Sequence, residues 1–190
     1  IRSFESAGAS AVQVEDQIPI NHINDLKGRP LVSAQVMVDK IKSMVDERRN
    51  ENTLVSARTD SPFTEPFEKV LDRISLYKDA GADILFAEGL KSSSEIKEIV
   101  QRAENIPVLY NLLRMDTDIS SADQLEKLGV SIVLFPGNAI SNVFDSLTHT
   151  FNSLKENPDL EVLSFKTPIS HINSTLGMND ILNKYKNYSS

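Results

Sequence analysis

The chain has no cysteine among its 190 residues. Disulfides, thiolate nucleophiles and cysteine-ligated zinc are therefore excluded. Basic residues are also in deficit: 27 acidic side chains face 20 basic ones, for a net charge of −7. A nucleic-acid partner would want a basic stripe, so that class is set aside. A small anionic ligand is not, because a local site can be positive inside an acidic protein. No apolar run approaches the roughly 20 residues of a membrane span, and no signal-peptide pattern opens the sequence. The expected location is the cytoplasm, unless an upstream segment carries a mitochondrial address. No Ser-His-Asp arrangement, Gly-rich phosphate loop or metal-binding His pair is found. His22, His149 and His171 are scattered, and the last two read as surface or packing residues.

What is there is ordinary for a soluble globular protein, with 40% apolar and 25% charged residues. One pattern recurs three times: ESAGASAVQVED (5–16), KDAGADILFAEG (78–89) and EKLGVSIVLFPG (126–137). Each is a helix end, a glycine and a short apolar strand. Gly8, Gly81 and Gly129 stand where a helix terminus wants a left-handed residue. The strands are short and almost wholly apolar, as in a parallel sheet buried on both faces. Two more strands, 52–57 and 106–110, fit between them. Amphipathic helices are expected over 34–49, 66–80, 94–104 and 138–155, the last with Val143, Phe144, Leu147 and Phe151 spaced for burial. Ser92 with Glu95, and Ser121 with Gln124, have capping-box spacing. Residues 156–190 hold no further strand, only a linker, a short apolar helix (169–176) and a polar terminal helix.

Alternating helices and five strands imply an α/β fold built of βαβ units. Two architectures satisfy the pattern: a complete doubly wound five-stranded sheet, or a (β/α)8 barrel of which the C-terminal five units are present and the first three are missing. The start inside a helical pattern favours the barrel, with residues 1–155 as the partial barrel and 156–190 as a C-terminal helical segment.

Sites on parallel α/β folds lie at the C-terminal ends of the strands. That rule selects Glu15 and Asp16, Arg58 and Asp60, Glu88, Asn111, and the Pro136-Gly137-Asn138 turn. Carboxylates suit Mg²⁺, and an arginine clamps a carboxylate through two hydrogen bonds. Each also has a plainer explanation. Glu15 and Asp16 alternate across a regular strand, so at most one faces inward. Arg58 and Asp60 make a structural pair as readily as a site, and Asn111 could cap a turn. The stretch 17–32 is long for a compact domain and reads as a lid over the mouth.

Taken in order, VQVEDQ (12–17), GRPLVS (28–33), SARTDS (56–61), AGADILFAEG (80–89), IPVLYN (106–111) and LGVSIVLFPG (128–137) resemble the isocitrate lyase/phosphoenolpyruvate mutase superfamily. The tail HINSTLGMNDILNKY (171–185) is similar to that family's segment after the barrel. The resemblance implies a barrel whose last helix is exchanged with a neighbouring subunit, giving homodimers or homotetramers. It implies an enzyme, with Mg²⁺ or Mn²⁺, that makes or breaks a C–C or P–C bond beside the carboxylate of a small 2-oxo or 2-hydroxy acid, through an enolate-like intermediate. By the same resemblance Glu15 is a metal-shell glutamate, Arg58 holds the substrate carboxylate, Glu88 and Asn111 line the active site, and 17–27 is a gating loop. Within that loop His22 or Asp25 is the candidate for proton transfer and Asn24 for substrate contact.

The departures matter. Where the lyase branch carries its acid–base cysteine, this chain has Ile23, and Asn21 occupies the loop-lysine position. Leu112-Leu113-Arg114 replaces an acid with a base after Asn111. The resemblance places the directly ligating Asp-x-Asp on a strand upstream of residue 1. A catalytically inactive barrel, kept for binding or assembly, is the alternative.

Overall fold

In the computed structural model, residues 1–18, 30–113, 117–157 and 167–188 are described, except the side chain at 187. Contacts divide the chain into two compact units, Ile1–Pro136 and Gly137–Ser190. That boundary falls at 136/137, where the sequence reading places one at 155/156.

The first unit runs α1 (Arg2–Ser6), β1 (Ala11–Glu15), α2 (Ala34–Glu47), β2 (Leu54–Thr59), α3 (Phe67–Asp79), β3 (Ile84–Ala87), α4 (Ser93–Ala103), β4 (Val108–Asn111), α5 (Ala122–Leu128) and β5 (Ile132–Leu134). The helices start where the sequence offers caps. Ser33 and Ser92 accept the N–H groups of Val36 and Glu95, and Ser121 with Gln124 forms a complete capping box. Gly8, Gly81 and Gly129 all take positive φ, as their places after helix ends require.

All five strands are parallel, in the order β1-β2-β3-β4-β5. A doubly wound sheet reverses its strand order at a switch point and puts helices on both faces. Here the order never reverses, and neighbouring helices α2 to α5 pack side by side. The doubly wound alternative is therefore set aside: the sheet is singly wound, the arrangement of a barrel wall.

The two faces of the sheet follow from the register. Val14, Val55, Ala57, Leu85, Ala87, Val108, Tyr110 and Val133 join the core beneath the helices, with Met37, Ile41, Val70, Ile74 and Ile99. On the opposite face Ile84, Phe86, Leu109 and Ile132 form a smaller cluster. Residues in register on parallel strands point the same way. Glu15, Arg58, Phe86, Leu109 and Ile132 thus form one row across this second face. The next inward positions are Glu88 and Asn111.

The second unit comprises α6 (Asn138–Glu156), α7 (Ile169–Thr175) and α8 (Met178–Tyr188), with α7 and α8 packed on each other. The spacing in α6 predicts a buried stripe. Instead Val143, Phe144, Leu147 and Phe151 are each more than half exposed, and α6 buries no residue. An apolar stripe shows that a helix wants a partner surface, not that its own chain supplies one. No helix among the described residues is long and apolar enough to cross a membrane.

Candidate active site at the strand ends

Arg58 is the centre of the strand-end cluster. It leaves the end of β2 on the inward face, and its guanidinium carbon lies 5.1 Å from the centroid of the Phe86 ring. A cation over an aromatic face is held by the ring quadrupole, more strongly as water is excluded. Its Nε donates to Asp60 Oδ1 at 2.7 Å and stands 3.3 Å from Glu15 Oε2. One terminal nitrogen lies 3.6 Å from Glu88 Oε2, too far for a good hydrogen bond. Burial pushes the Arg58 pKa down, but the hydrogen bond and charge of Asp60, then the charges of Glu88 and Glu15, outweigh it and raise the pKa above the ordinary arginine value. Arg58 is a permanent cation whose side chain is 20% exposed, and among the described residues its terminal nitrogens make no close hydrogen bond.

Glu88 and Asn111 orient each other. The Asn111 amide donates to Glu88 Oε2 at 2.7 Å, while the buried Asn111 Oδ1 accepts no hydrogen bond from the described residues. A buried acceptor without a donor carries a cost that a ligand hydroxyl could relieve. Glu88 is nearly buried, and its own N–H is tied to the Thr59 carbonyl at 2.9 Å.

Gly89 turns the chain away after Glu88 with φ +86, and a Cβ there would run into the Phe63 ring. Gly89→Ala combines overpacking with a backbone angle that alanine resists. It is expected to cost about 2–4 kcal/mol of stability, read by urea unfolding. A loss below about 0.5 kcal/mol would mean both that Phe63 swings aside freely and that the turn relaxes to accept alanine.

Asp16 is the other carboxylate of the pair at the end of β1, and it faces away from this cluster. It is fully buried, accepting from Tyr77 Oη at 2.7 Å, Arg73 at 3.3 Å and the Asp60 N–H at 3.0 Å. The alternation argument thus separates Glu15, which faces the mouth, from Asp16, which serves the frame. Arg58 and Asp60 do pair structurally, yet that pairing leaves Arg58 at the mouth.

Of the remaining candidates, His22, Asn24 and Asp25 lie outside the described residues, as does Arg114. The ends of the expected lid are described. Gln17 and Leu31 form a bridge, and Ile18 donates to the Pro30 carbonyl at 2.8 Å. His149 and His171 are exposed on the second unit. Pro136 and Asn138 fall on either side of the unit boundary. Two participants escaped the sequence reading. Phe86 was legible, two residues before Glu88 on the same face of β3. Arg73 was not, because an arginine on an amphipathic helix reads as solvated.

Magnesium takes six oxygen ligands in near-octahedral geometry. Among the described residues no three His, Asp or Glu side chains gather closely enough to share an ion. Glu15 is one oxygen donor at the mouth and Glu88, tied to Asn111, is a second. The described residues do not fit a complete magnesium shell by themselves.

The family model for phosphoenolpyruvate phosphomutase matches residues 1–155. A 2-methylisocitrate lyase of Aeropyrum pernix is 41% identical over 137 residues, covering 72% of this chain and 44% of that protein. The 2,3-dimethylmalate lyase of Eubacterium barkeri is 32% identical over 194 aligned positions, covering 100% of this chain and 66% of that protein. A phosphonopyruvate hydrolase solved with oxalate and Mg²⁺ superposes with a TM-score of 0.80 at 21% identity, covering 98% of this chain and 65% of that one, a likeness of fold. The chain thus spans about half to two-thirds of the length of the proteins it matches. The strand-end residues found by position alone sit within the matched region, and the chain belongs to the phosphoenolpyruvate phosphomutase family.

Proposed function

We propose that this chain is the catalytic arc of a (β/α)8 enzyme that binds a small 2-oxo or 2-hydroxy acid by its carboxylate and makes or breaks the neighbouring C–C or P–C bond. The observation that carries this is Arg58, a permanent cation at the strand ends with donors left for a ligand. In this reading Arg58 clamps the carboxylate. Asn111 accepts a ligand hydroxyl, and Glu88, oriented by Asn111, faces the reacting carbon. Ile23 stands where the lyase branch has its cysteine, so within this segment His22 or Asp25 is the candidate for proton transfer, with Asn24 as a substrate contact. Three further βα units close the barrel. A divalent cation, Mg²⁺ or Mn²⁺, would supply charge stabilisation of an enolate-like species. Glu15 contributes one of its oxygen donors, and residues outside those described complete the set. The exposed apolar residues of α6 support a homodimer or homotetramer in which segment 156–190 is exchanged between subunits.

The test is NMR observation of the full-length protein with Mg²⁺ and 2-methylisocitrate, 2,3-dimethylmalate, oxaloacetate, phosphonopyruvate or phosphoenolpyruvate. Turnover of one of them, abolished by EDTA and restored by Mg²⁺ or Mn²⁺, is expected. A folded protein that turns over none of them defeats the enzyme reading. Ile23 in the cysteine position favours a second reading, an inactive barrel kept for binding. Calorimetry with oxalate separates the outcomes: metal-dependent binding supports a working site, and its absence supports the second reading.

A further inference from the structure

The groups around Asp16 join four segments of chain. Its N–H donates to the Arg58 carbonyl at 3.3 Å, and its carbonyl accepts from the Val32 N–H at 2.8 Å. One side-chain oxygen takes the Asp60 N–H, and the other takes Tyr77 and Arg73 from α3. Arg73 in turn donates to the Val32 carbonyl at 3.2 Å and grips Glu65 with two bonds of 2.8 Å. None of these groups faces the mouth. Yet the Asp60 backbone that Asp16 holds carries the carboxylate that holds Arg58 Nε.

We propose that Asp16 is a positioning residue: through the Asp60 backbone it sets the orientation of the Arg58 guanidinium, and α3 anchors it through Arg73 and Tyr77. This rests on the reading of Arg58 as the carboxylate-binding group. The physical case is one of order. Arg58 has a long side chain whose rotamer freedom must be lost before it can clamp a ligand. The Phe86 ring, 5.1 Å from the guanidinium carbon, attracts the cation but does not by itself fix the rotation of the guanidinium. The hydrogen bond from Nε to Asp60 fixes the rotation, and its direction depends on where the Asp60 backbone lies. A fully buried carboxylate bonded to that backbone N–H is a rigid reference, because leaving it unpaired is costly.

Asp16→Asn isolates the link. The amide keeps one oxygen, and the charged Arg73 competes for it better than a backbone N–H does. The substitution therefore keeps the α3 anchor and gives up the Asp60 end. The direct readout is hydrogen exchange of the Arg58 Nε–H by NMR under native conditions, where local opening sets the rate. Asp16→Asn is expected to speed that exchange about tenfold, the effect of one hydrogen bond of ordinary strength, and to weaken oxalate binding in parallel. Asp60→Asn should do at least as much. The double variant should be no worse than Asp60→Asn alone, since the two act in series. An unchanged exchange rate in Asp16→Asn, or effects that simply add in the double variant, overturns the proposal. Should Asp16→Asn not fold, Tyr77→Phe removes one donor from Asp16 and is expected to shift the rate in the same direction by about twofold; no shift there overturns the proposal instead. Wild-type protein that fails to bind oxalate defeats the functional reading, while the exchange comparison still decides the role of Asp16.

Discussion

Arg58→Ala is expected to abolish measurable binding of oxalate while the protein stays folded. The substitution removes the cation at the centre of the strand-end cluster formed by the described residues. It also leaves Glu15, Asp60 and Glu88, whose carboxylates all face that guanidinium, without it. An incoming carboxylate then meets three negative charges in place of a clamp. Truncating one partner of a hydrogen-bonded charge pair costs about 2–5 kcal/mol, which is roughly thirtyfold to several-thousandfold in Kd. Arg58→Lys separates charge from geometry. A lysine ammonium retains the charge but cannot hold Asp60 and grip a carboxylate through two parallel bonds at once. It should recover only a minor part of the affinity. Because the surrounding carboxylates hold the arginine pKa up, Arg58 stays charged at every pH where the protein is studied. Any pH dependence of binding must then come from other groups. Calorimetry on the three proteins decides the matter, and oxalate affinity in Arg58→Ala within a factor of about three of wild type, less than one ordinary hydrogen bond is worth, would remove Arg58 from the site.

Much of this candidate site was legible because its residues sit where two periodicities change over. A short apolar strand that ends in a charged residue marks the mouth of a parallel α/β fold, and Glu15, Arg58, Glu88 and Asn111 all have that signature. Alternation along β1 was enough to separate Glu15 from Asp16. Lateral order was not legible. Helical and strand periods say which face of an element is apolar, and nothing about which strand lies beside which. The doubly wound and barrel readings parted only when the strands proved to follow one another without reversal. The tie between Asp16 and Arg73 was hidden for a similar reason. The two are 57 positions apart, and burial of a charge on α3 is visible only once a carboxylate is seen beneath it. In α6 the difficulty is the reverse. The apolar stripe is plain in the sequence, but a stripe does not name its partner, and among the described residues α6 buries none of its own.

Arg73→Ala is the substitution expected to cost most in stability. Asp16 is fully buried and Arg73 nearly so. Breaking such a pair from one side leaves a buried carboxylate with no cation, a loss of about 3–5 kcal/mol. Against a total stability of about 5–15 kcal/mol for a typical domain, that is enough to bring the protein close to unfolding at ambient temperature. Tyr77 cannot compensate. Burial first, and the Asp16 charge second, push its phenol well above the ordinary value, so it remains a neutral donor with one hydrogen bond to give. The effect also has a pH signature through Glu65. The Arg73 hydrogen bonds hold the Glu65 carboxyl below its ordinary 4.5, and burial opposes them less strongly. A carboxyl whose pKa is lower in the folded state stabilises the fold above its unfolded value, and loses that contribution as pH falls through the folded value. Arg73→Ala removes this contribution. The gap in unfolding free energy between wild type and variant should therefore be widest above pH 4.5 and narrow as the pH drops below it. Urea unfolding of both proteins from neutral pH into the acid range measures that gap directly. A constant gap would mean that Glu65 contributes nothing to the loss, and a gap under about 1 kcal/mol would mean that the buried carboxylate finds another partner.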